Sequence, residues 1–322
     1  MKPMTQWLKP NRPGWIVLLL AVAFTGCKPK EPAATGHPVT IGVSYQDLQN
    51  EFVIRLQDAI RAEAKRLNVA LVESDAQGHA EKQIGHVENF IARNVDAIIL
   101  NPEDEQASAP AMGLAVQNHK PIVVVNAIVA NLKKADAYVG SPDVIAGRME
   151  ASEMMKILHG RGDVVILQGP YGHSAELLRT KGIGEALAKF PGAKIVAEQT
   201  ANWDRAQALS VMENWLSSGR EVDGVIAQND EMALGALEAI EGAGKHIPVV
   251  GIDAIPDALK AVADGRLAAT VFQDAHAQGT LAVQLAVDLV EGKPVKHDNY
   301  IPFQLVTREN VTNYLNAIPP GH

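Results

Sequence analysis

Short apolar runs alternate with longer amphipathic segments along the chain from Val39 onward. In the segment from Asp58 to Leu67, apolar positions recur at three- and four-residue spacings, which is the period of a helix packed on one face. Alternation of short strands with such helices is typical of βαβ units and a parallel sheet. The strands are predicted at residues 39–43, 70–73, 97–100, 122–125 and 138–140, at 164–167, 194–197, 224–227 and 249–252, and at 267–273, with a helix at 276–291 and a last apolar segment at 300–306.

The two series of strands repeat one another. Residues 95–101 (VDAIILN) are answered by 222–229 (VDGVIAQN), and residues 121–127 (PIVVVNA) by 248–254 (PVVGIDA). The repeat predicts two similar α/β lobes in tandem. In each lobe polar residues end the strands, and open α/β sheets bind ligands at the carboxyl ends of their strands. Any one such residue could instead cap a helix, but four in matched positions favour a shared site; they are Asn101, Asn126, Asn229 and Asp253.

The N-terminus has the features of a secretion signal. Basic residues precede an apolar run at 15–24, which is about half the roughly 20 residues that a membrane-spanning helix needs. The run ends in Phe24-Thr25-Gly26-Cys27, which resembles the bacterial lipobox, so Cys27 is expected to carry lipid; a buried or disulfide-forming cysteine is the alternative. We therefore expect a signal peptide at 1–26 and a tether at 27–37 that anchors the protein to a membrane.

Composition and charge exclude several classes of function. Apolar residues make up 47% and charged residues 20% of the chain, and the net charge of −8 argues against a nucleic-acid partner. Neither a phosphate-binding loop nor a metal-ligand spacing among the ten histidines is present, so no cofactor and no metal are expected. An enzyme stays the second hypothesis: Ser174 matches a nucleophile elbow only in part, and nothing fixes the separation of Asp230, Glu231 and Asp253.

Several ordered motifs resemble those of ribose-type periplasmic sugar-binding proteins of ABC transporters. The resemblance covers residues 39 to about 311 and is carried by 227–237 (AQNDEMALGAL), 101–102, 179–182 (RTKG), 250–253 (VGID) with 256–257, and 267–273. It implies the periplasmic binding protein type I fold, in which two Rossmann-like lobes with parallel sheets are joined by a three-strand hinge. The hinge crossings are expected near Gly140-Ser141, Gln273-Asp274 and Ile301-Phe303, which gives an N-terminal lobe of 38–140 plus 274–302 and a C-terminal lobe of 141–273 plus 303–322.

The resemblance also implies a function and partners. A monomer in the periplasm would enclose a sugar or other polyol between its lobes and deliver it to an ABC permease without chemical turnover. A receptor that serves a chemoreceptor or sensor kinase is the alternative, and a sugar-modifying enzyme is a weaker one.

Carried over by position, the resemblance assigns nine residues to the ligand. Arg179 would offer a fork of donors to vicinal hydroxyls, Asp253 and the amides would bond the other hydroxyls, and Phe52 and Trp203 would pack on the ring. Other roles stay open: a core aromatic for Phe52, an interfacial indole for Trp203 and a solvated helix residue for Arg179. The nine are Asn50, Phe52, Asn101, Asn126, Arg179, Trp203, Asn229, Asp253 and Gln273.

Departures from the ribose pattern bear on the ligand. Asn126-Ala127 stands where ribose receptors carry an Asp-Arg pair, which disfavours ribose. Four segments resemble the inositol-binding subgroup instead: 199–203 (QTANW), 214–216 (NWL), 271–275 (VFQDA) and 301–305 (IPFQL). The expected order of ligands is myo-inositol or a related cyclitol, then a pyranose, then a linear polyol.

Overall fold

A computed structural model describes residues 38–315 of the 322-residue chain. The expected signal peptide, the expected tether and Cys27 lie outside the described residues. Within residues 38–315, no helix is both long enough and apolar enough to cross a membrane.

Strands and helices alternate along almost the whole described chain. The strands are β1 Thr40–Tyr45, β2 Ala70–Asp75, β3 Ala97–Leu100, β4 Ile122–Asn126, β5 Ala137–Gly140, β6 Arg161–Gln168, β7 Gly192–Thr200, β8 Gly224–Ala227, β9 Val249–Asp253, β10 Ala269–Phe272, β11 Asp298–Tyr300 and β12 Gln304–Thr307. The helices are α1 Glu51–Leu67, α2 Ala80–Ala92, α3 Ala109–Gln117, α4 Asp143–Ile157, α5 Ser174–Leu187, α6 Arg205–Ser217, α7 Asp230–Gly242, α8 Pro256–Asp264, α9 Ala275–Val290 and α10 Thr312–Leu315.

The strands form two six-stranded sheets of matching order. The first sheet runs β11-β5-β4-β3-β1-β2, and all its pairs are parallel. The second runs β12-β10-β9-β8-β6-β7, parallel except that β12 is antiparallel to β10. Strands β3, β4, β8 and β9 are buried at every position, because helices cover both faces of each sheet. The predicted class, two α/β lobes with parallel sheets, is confirmed.

The chain passes between the two sheets three times. It leaves the first sheet after Gly140, returns after Phe272, and leaves again after Tyr300 to enter β12. Helix α9 packs on α1 and on β3, β4 and β5, so it belongs to the first lobe, whereas α4 packs on the second sheet. The last apolar segment of the sequence is therefore divided between the lobes, with Pro302 between β11 and β12.

Helix α1 begins earlier than its apolar periodicity indicates. The side-chain Oδ1 of Asn50 accepts hydrogen bonds from the backbone N–H groups of Phe52 (2.9 Å) and Val53 (3.4 Å), which otherwise have no partner within the helix. The helix ends at Asn68, whose backbone is left-handed. The cap brings Asn50 and Phe52 to the end of the first sheet where Gln46 follows β1.

Two glycines of α7 allow a matched test of helix packing. A Cβ on Gly235 would lie 2.1 Å from the carbonyl oxygen of Arg205 on α6, whereas a Cβ on Gly242 would meet no atom within 4 Å. We expect Gly235→Ala to destabilise the protein by about 1–3 kcal/mol through forced separation of the helices. Gly242→Ala should be neutral or stabilising by about 0.5–1 kcal/mol. Urea unfolding of both variants measures this, and equal effects would contradict the packing.

Candidate functional site

The carboxyl ends of both sheets border one small cavity. The cavity is lined by side chains that follow strands or begin helices in both lobes. They are Gln46, Asn50, Phe52, Val53, Asn126, His173, Ala175, Arg179, Trp203, Asn229, Asp253 and Gln273.

All the residues that the sequence assigns to a ligand line this cavity except Asn101. Asn101 is fully buried behind the wall, where its Oδ1 accepts from the Gln46 backbone N–H at 3.3 Å. Its Nδ2 donates to the side chains of Gln46 (3.2 Å) and Asn126 (3.4 Å) and to a backbone carbonyl. Asn101 directly follows β3, at the centre of the first sheet, and its amide holds two wall residues in place.

Gln46 and His173 line the cavity but were not found from the sequence. Gln46 follows β1 and His173 precedes α5, so both occupy the same kind of position as the residues that were found. The two come from different lobes and contact each other, with His173 Nε2 3.1 Å from Gln46 Oε1. The only sequence signal was position after a strand, which these two share with many capping residues.

Two of the asparagines cap helices and also line the cavity. Asn229 Oδ1 accepts from the Met232 backbone N–H at 3.0 Å at the start of α7, and its Nδ2 donates to the Trp203 carbonyl at 3.3 Å. Asn50 caps α1 in the same way. The capping role and the cavity position are therefore compatible, and the cap fixes which atoms of each amide remain for a ligand.

Arg179 is almost completely engaged by the protein. Its Nε donates to Asp143 at 2.8 Å, Nη1 to the Gln228 carbonyl and Nη2 to Gln273 Oε1 at 3.0 Å. Its Cζ lies 5.6 Å from the centroid of the Trp203 ring. Since guanidinium has five N–H groups, one on each Nη remains for a ligand. The expected fork toward vicinal hydroxyls is reduced to these two donors.

Two buried donors at the cavity have no hydrogen-bond partner. They are the indole Nε1 of Trp203 and the amide Nε2 of Gln273. The Gln273 amide is oriented because its Oε1 accepts from Arg179, which turns Nε2 away from that bond. A buried donor without a partner costs about 1–3 kcal/mol. These two N–H groups therefore favour a ligand that supplies oxygen acceptors.

The backbone is strained at three cavity residues. Asn126 has φ 67°, Trp203 has φ 61° and Asp253 has φ 122°, all in a region that favours glycine. Such conformations cost about 1–3 kcal/mol each and persist only where surrounding contacts impose them. In each case the strained residue ends or follows a strand, and the turn places its side chain at the cavity.

Asp253 is the only carboxylate among the described residues that line the cavity. Burial raises the pKa of Asp253 to about 7, against the opposing effect of the Arg179 guanidinium. Asp143 and Glu231 also raise this pKa, and Arg55 lowers it. The Asp253 side chain thus changes between hydrogen-bond acceptor and donor near neutral pH.

Hydrogen bonds between the lobes close the cavity on several sides. Besides the Gln46–His173 contact, the Ile128 backbone N–H donates to Ser174 Oγ at 2.7 Å. The Glu105 N–H donates to the Gly172 carbonyl at 3.0 Å, and Arg55 Nη1 donates to the Ala254 carbonyl at 3.3 Å. The lobes are therefore in a closed arrangement around the cavity.

A larger groove of about 800 Å³ adjoins the cavity beside Gln46, Asn50 and Trp203. Its lining includes carboxylates and amides but no lysine or arginine; the residues are Gln46, Asp47, Gln49, Asn50, Gly78, Glu103, Pro170, Asn202, Trp203, Asp204 and Gln207. Burial raises the pKa of Glu103 to about 8, with further contributions from nearby aspartates. Glu103 is therefore largely neutral at neutral pH, and it is the aspartates of the groove, Asp47 and Asp204, that would oppose the approach of anions.

Within residues 38–315, no group of three or more His, Cys, Asp or Glu side chains is placed to hold a metal ion.

The family model described as periplasmic binding protein domain matches residues 41–294 of the chain. The chain belongs to the periplasmic binding protein family. This confirms the resemblance found in the sequence.

Relatives of this periplasmic binding protein cover most of its length. A protein of Rhizobium meliloti named for rhizopine binding is 40% identical over 291 residues, which is 88% of this chain and 94% of the relative. The xylitol-binding protein of Mycolicibacterium smegmatis is 37% identical over a region that spans 91% of this chain and 84% of the relative. A solute-binding protein of an ABC transporter from Bacillus halodurans, solved with bound myo-inositol, is 41% identical with a TM-score of 0.85, over 88% of this chain and 100% of that one.

His173 of this periplasmic binding protein is held in one neutral tautomer. Its Nδ1 accepts from the Ala175 backbone N–H at 3.1 Å, which caps α5, so Nε2 carries the proton and donates to Gln46 Oε1. Burial, and secondarily the charge of Arg179, lower the pKa of His173 to about 3. A proton on Nδ1 would break the hydrogen bond that caps α5, which agrees with the lowered pKa of His173.

The lowered pKa predicts a dependence of stability on pH. The unfolded chain binds a proton at His173 near pH 6.5 and the folded protein does not, so the contribution of this residue is lost as pH falls below 6.5. Between pH 6.5 and 5 the loss should be about 1.6 kcal/mol. His173→Asn keeps a capping side chain without a titrating group, so its unfolding free energy should fall less over this interval. Urea unfolding at both pH values measures the difference, and parallel curves would contradict a neutral, buried His173.

Proposed function

We propose that this periplasmic binding protein captures a small uncharged polyol, with a cyclitol of the myo-inositol type as the favoured ligand, and delivers it to an ABC permease. The observation that carries the proposal is a pair of buried donors without partners, Trp203 Nε1 and Gln273 Nε2. Both belong to residues that line the polar cavity between the lobes. A hydroxyl oxygen can accept from each donor, and its proton can be donated to Asp253.

Eight of the residues assigned from the sequence would contact the ligand, and Asn101 would act by positioning Gln46 and Asn126. Phe52 belongs both to the cavity wall and to the core of the first lobe, so its ring can pack on an apolar ring face without leaving the core. Gln46 joins the contact residues as a donor: its Oε1 is taken by Asn101 and His173, which leaves its Nε2 for the ligand.

Two features support an uncharged ligand of cyclitol size. The groove beside the cavity has carboxylates and no cationic side chain among its lining residues, which disfavours phosphorylated or carboxylated compounds. The cavity itself is small.

The preference for a cyclitol is supported by similar structures. The 41% identical protein from Bacillus halodurans holds myo-inositol, as does the myo-inositol binding protein of Caulobacter, which is 32% identical with a TM-score of 0.84 over 88% of this chain and 98% of that one. Asn126-Ala127, in place of a charged pair, is in accord with a ligand other than ribose.

We further propose that the protein binds its ligand without turning it over and acts as a monomer. Hydrolysis of a glycosidic bond ordinarily needs a pair of carboxyl groups. Asp253 is the single carboxylate among the described cavity residues.

The proposed lobes comprise residues 38–140 plus 274–302 and residues 141–273 plus 303–322. They would open about the three passages of the chain between the sheets.

We also propose that the mature protein begins at Cys27 and is held at a membrane by lipid on that residue. The support lies in the sequence: a short apolar run, Phe24-Thr25-Gly26-Cys27, and a polar tether that contains proline and glycine before residue 38.

A thermal-shift screen of the protein tests the ligand class. At a hundred times its dissociation constant, a ligand adds about 2.7 kcal/mol to stability, which raises the melting temperature measurably. Inositols should raise it most, pyranoses and linear polyols less, and inositol phosphates not at all. If no polyol changes the melting temperature while an anionic sugar does, the proposed ligand class is wrong.

Cell fractionation tests the anchor. Wild-type protein expressed in its full length should be recovered with membranes and released by detergent, whereas Cys27→Ala should remove the lipid attachment site and prevent recovery as a lipoprotein. Incorporation of labelled palmitate into the wild type but not the variant is the measurement. Equal labelling of both, or of neither, would refute the lipidation of Cys27.

A further inference from the structure

The turn that follows β9 carries Asp253 into the cavity with an unusual backbone. Asp253 has φ 122° and Ala254 has φ 57°, so two consecutive residues with side chains lie in the left-handed half of conformational space. Asp253 is 5% exposed and lines the cavity. Some other part of the protein must hold this turn.

Asp230 and Thr270 hold two consecutive backbone amides of the turn. The Ile255 N–H donates to Asp230 Oδ2 at 3.0 Å, and the Ala254 N–H donates to Thr270 Oγ1 at 3.2 Å. The Thr270 hydroxyl in turn donates to Asp230 Oδ1 at 2.8 Å. Both side chains are fully buried, and neither lines the cavity.

The surrounding sheet is shaped to admit this pair. Thr270 on β10 is paired with Gly251 on β9, two residues before Asp253. A Cβ on Gly251 would lie 2.2 Å from Asp230 Oδ1, so the carboxylate occupies the space that a side chain there would take. Asp230 also directly follows Asn229, so one short segment supplies a cavity residue and the support of another.

The same turn is contacted from the other lobe. Arg55 on α1 donates to the carbonyl oxygen of Ala254 at 3.3 Å. Ala254 is thus bonded through its N–H to the core of the second lobe and through its C=O to the first lobe. The two peptide units that flank Ala254 therefore bear on both Asp253 and the closed arrangement.

We propose that Asp230 and Thr270 are positioning residues that fix the Asp253–Ala254 turn in its binding geometry and thereby set ligand affinity through Asp253. The inference rests on the proposed function in so far as Asp253 bonds a polyol. A role limited to stability would lower the melting temperature without changing the affinity of the folded protein.

Thr270→Val is the main test, because it removes the hydroxyl at nearly constant volume. We expect the affinity of Thr270→Val for myo-inositol, measured by calorimetry at a temperature where the variant is fully folded, to fall at least about fivefold. Thr270→Ser keeps the hydroxyl and should bind as the wild type does. In an Asp253→Asn background, Thr270→Val should have little further effect, since it acts through Asp253. An unchanged affinity, or the same loss with and without Asp253, would overturn the proposal.

One control variant and one substitute variant complete the experiment. Thr307→Val, on the neighbouring strand β12, should leave affinity unchanged. If Thr270→Val folds poorly, Thr270→Ala removes the same hydroxyl and is judged by the same criteria.

A readout without ligand separates this inference from the proposed function. The Asp253 carboxyl carbon can be titrated by NMR in the free protein. Release of the turn should expose the carboxylate and lower its pKa in Thr270→Val, whereas Thr307→Val should leave the titration as in the wild type. If the wild type does not bind myo-inositol, the cyclitol proposal fails; an unmoved Asp253 titration would by itself overturn the positioning role.

Discussion

A guanidinium buried between two lobes must have its charge balanced and its N–H groups bonded, and the arrangement of the cavity follows from that requirement. Arg179 is 4% exposed, and Asp143, itself buried, accepts from its Nε. Its Nη2 orients the Gln273 amide, and its planar group lies over the Trp203 ring. The two unpartnered donors of the cavity therefore belong to the two residues that Arg179 holds in place.

The site itself is a consequence of the internal repeat. Each sheet presents its strand ends toward the other, and β3, β4, β8 and β9 are too short and too buried to contribute anything but their final residues to a ligand. Closure joins these edges through a few hydrogen bonds, such as Gln46 to His173 and Ile128 to Ser174. Since such bonds are few and polar, a change of ligand state can shift the balance between open and closed lobes.

Much of this architecture could be predicted from the sequence, because apolar runs buried on both faces identify parallel strands directly. Helix α1 was harder, since the Asn50 cap and not the apolar period fixes its start. The position of Asn126 at the end of a strand was enough to predict that it lines the cavity. The same reasoning could not show that the Asn101 side chain turns into the wall, because Asn101 bonds there to the Gln46 amide, a residue 55 positions away in the sequence. His173 escaped detection for a similar reason: its role depends on a contact across the lobes.

The most direct test of the account is the indole N–H signal of Trp203 in an NMR spectrum, assigned with Trp203→Phe. The indole Nε1 of Trp203 is buried without a partner, whereas Trp215 packs in the core of the second lobe away from the cavity. Addition of myo-inositol should shift the Trp203 signal and slow its exchange with solvent while the Trp215 signal stays in place. Saturable binding of a polyol that leaves the Trp203 signal and its exchange unchanged would contradict the claim that closure presents these buried donors to the ligand.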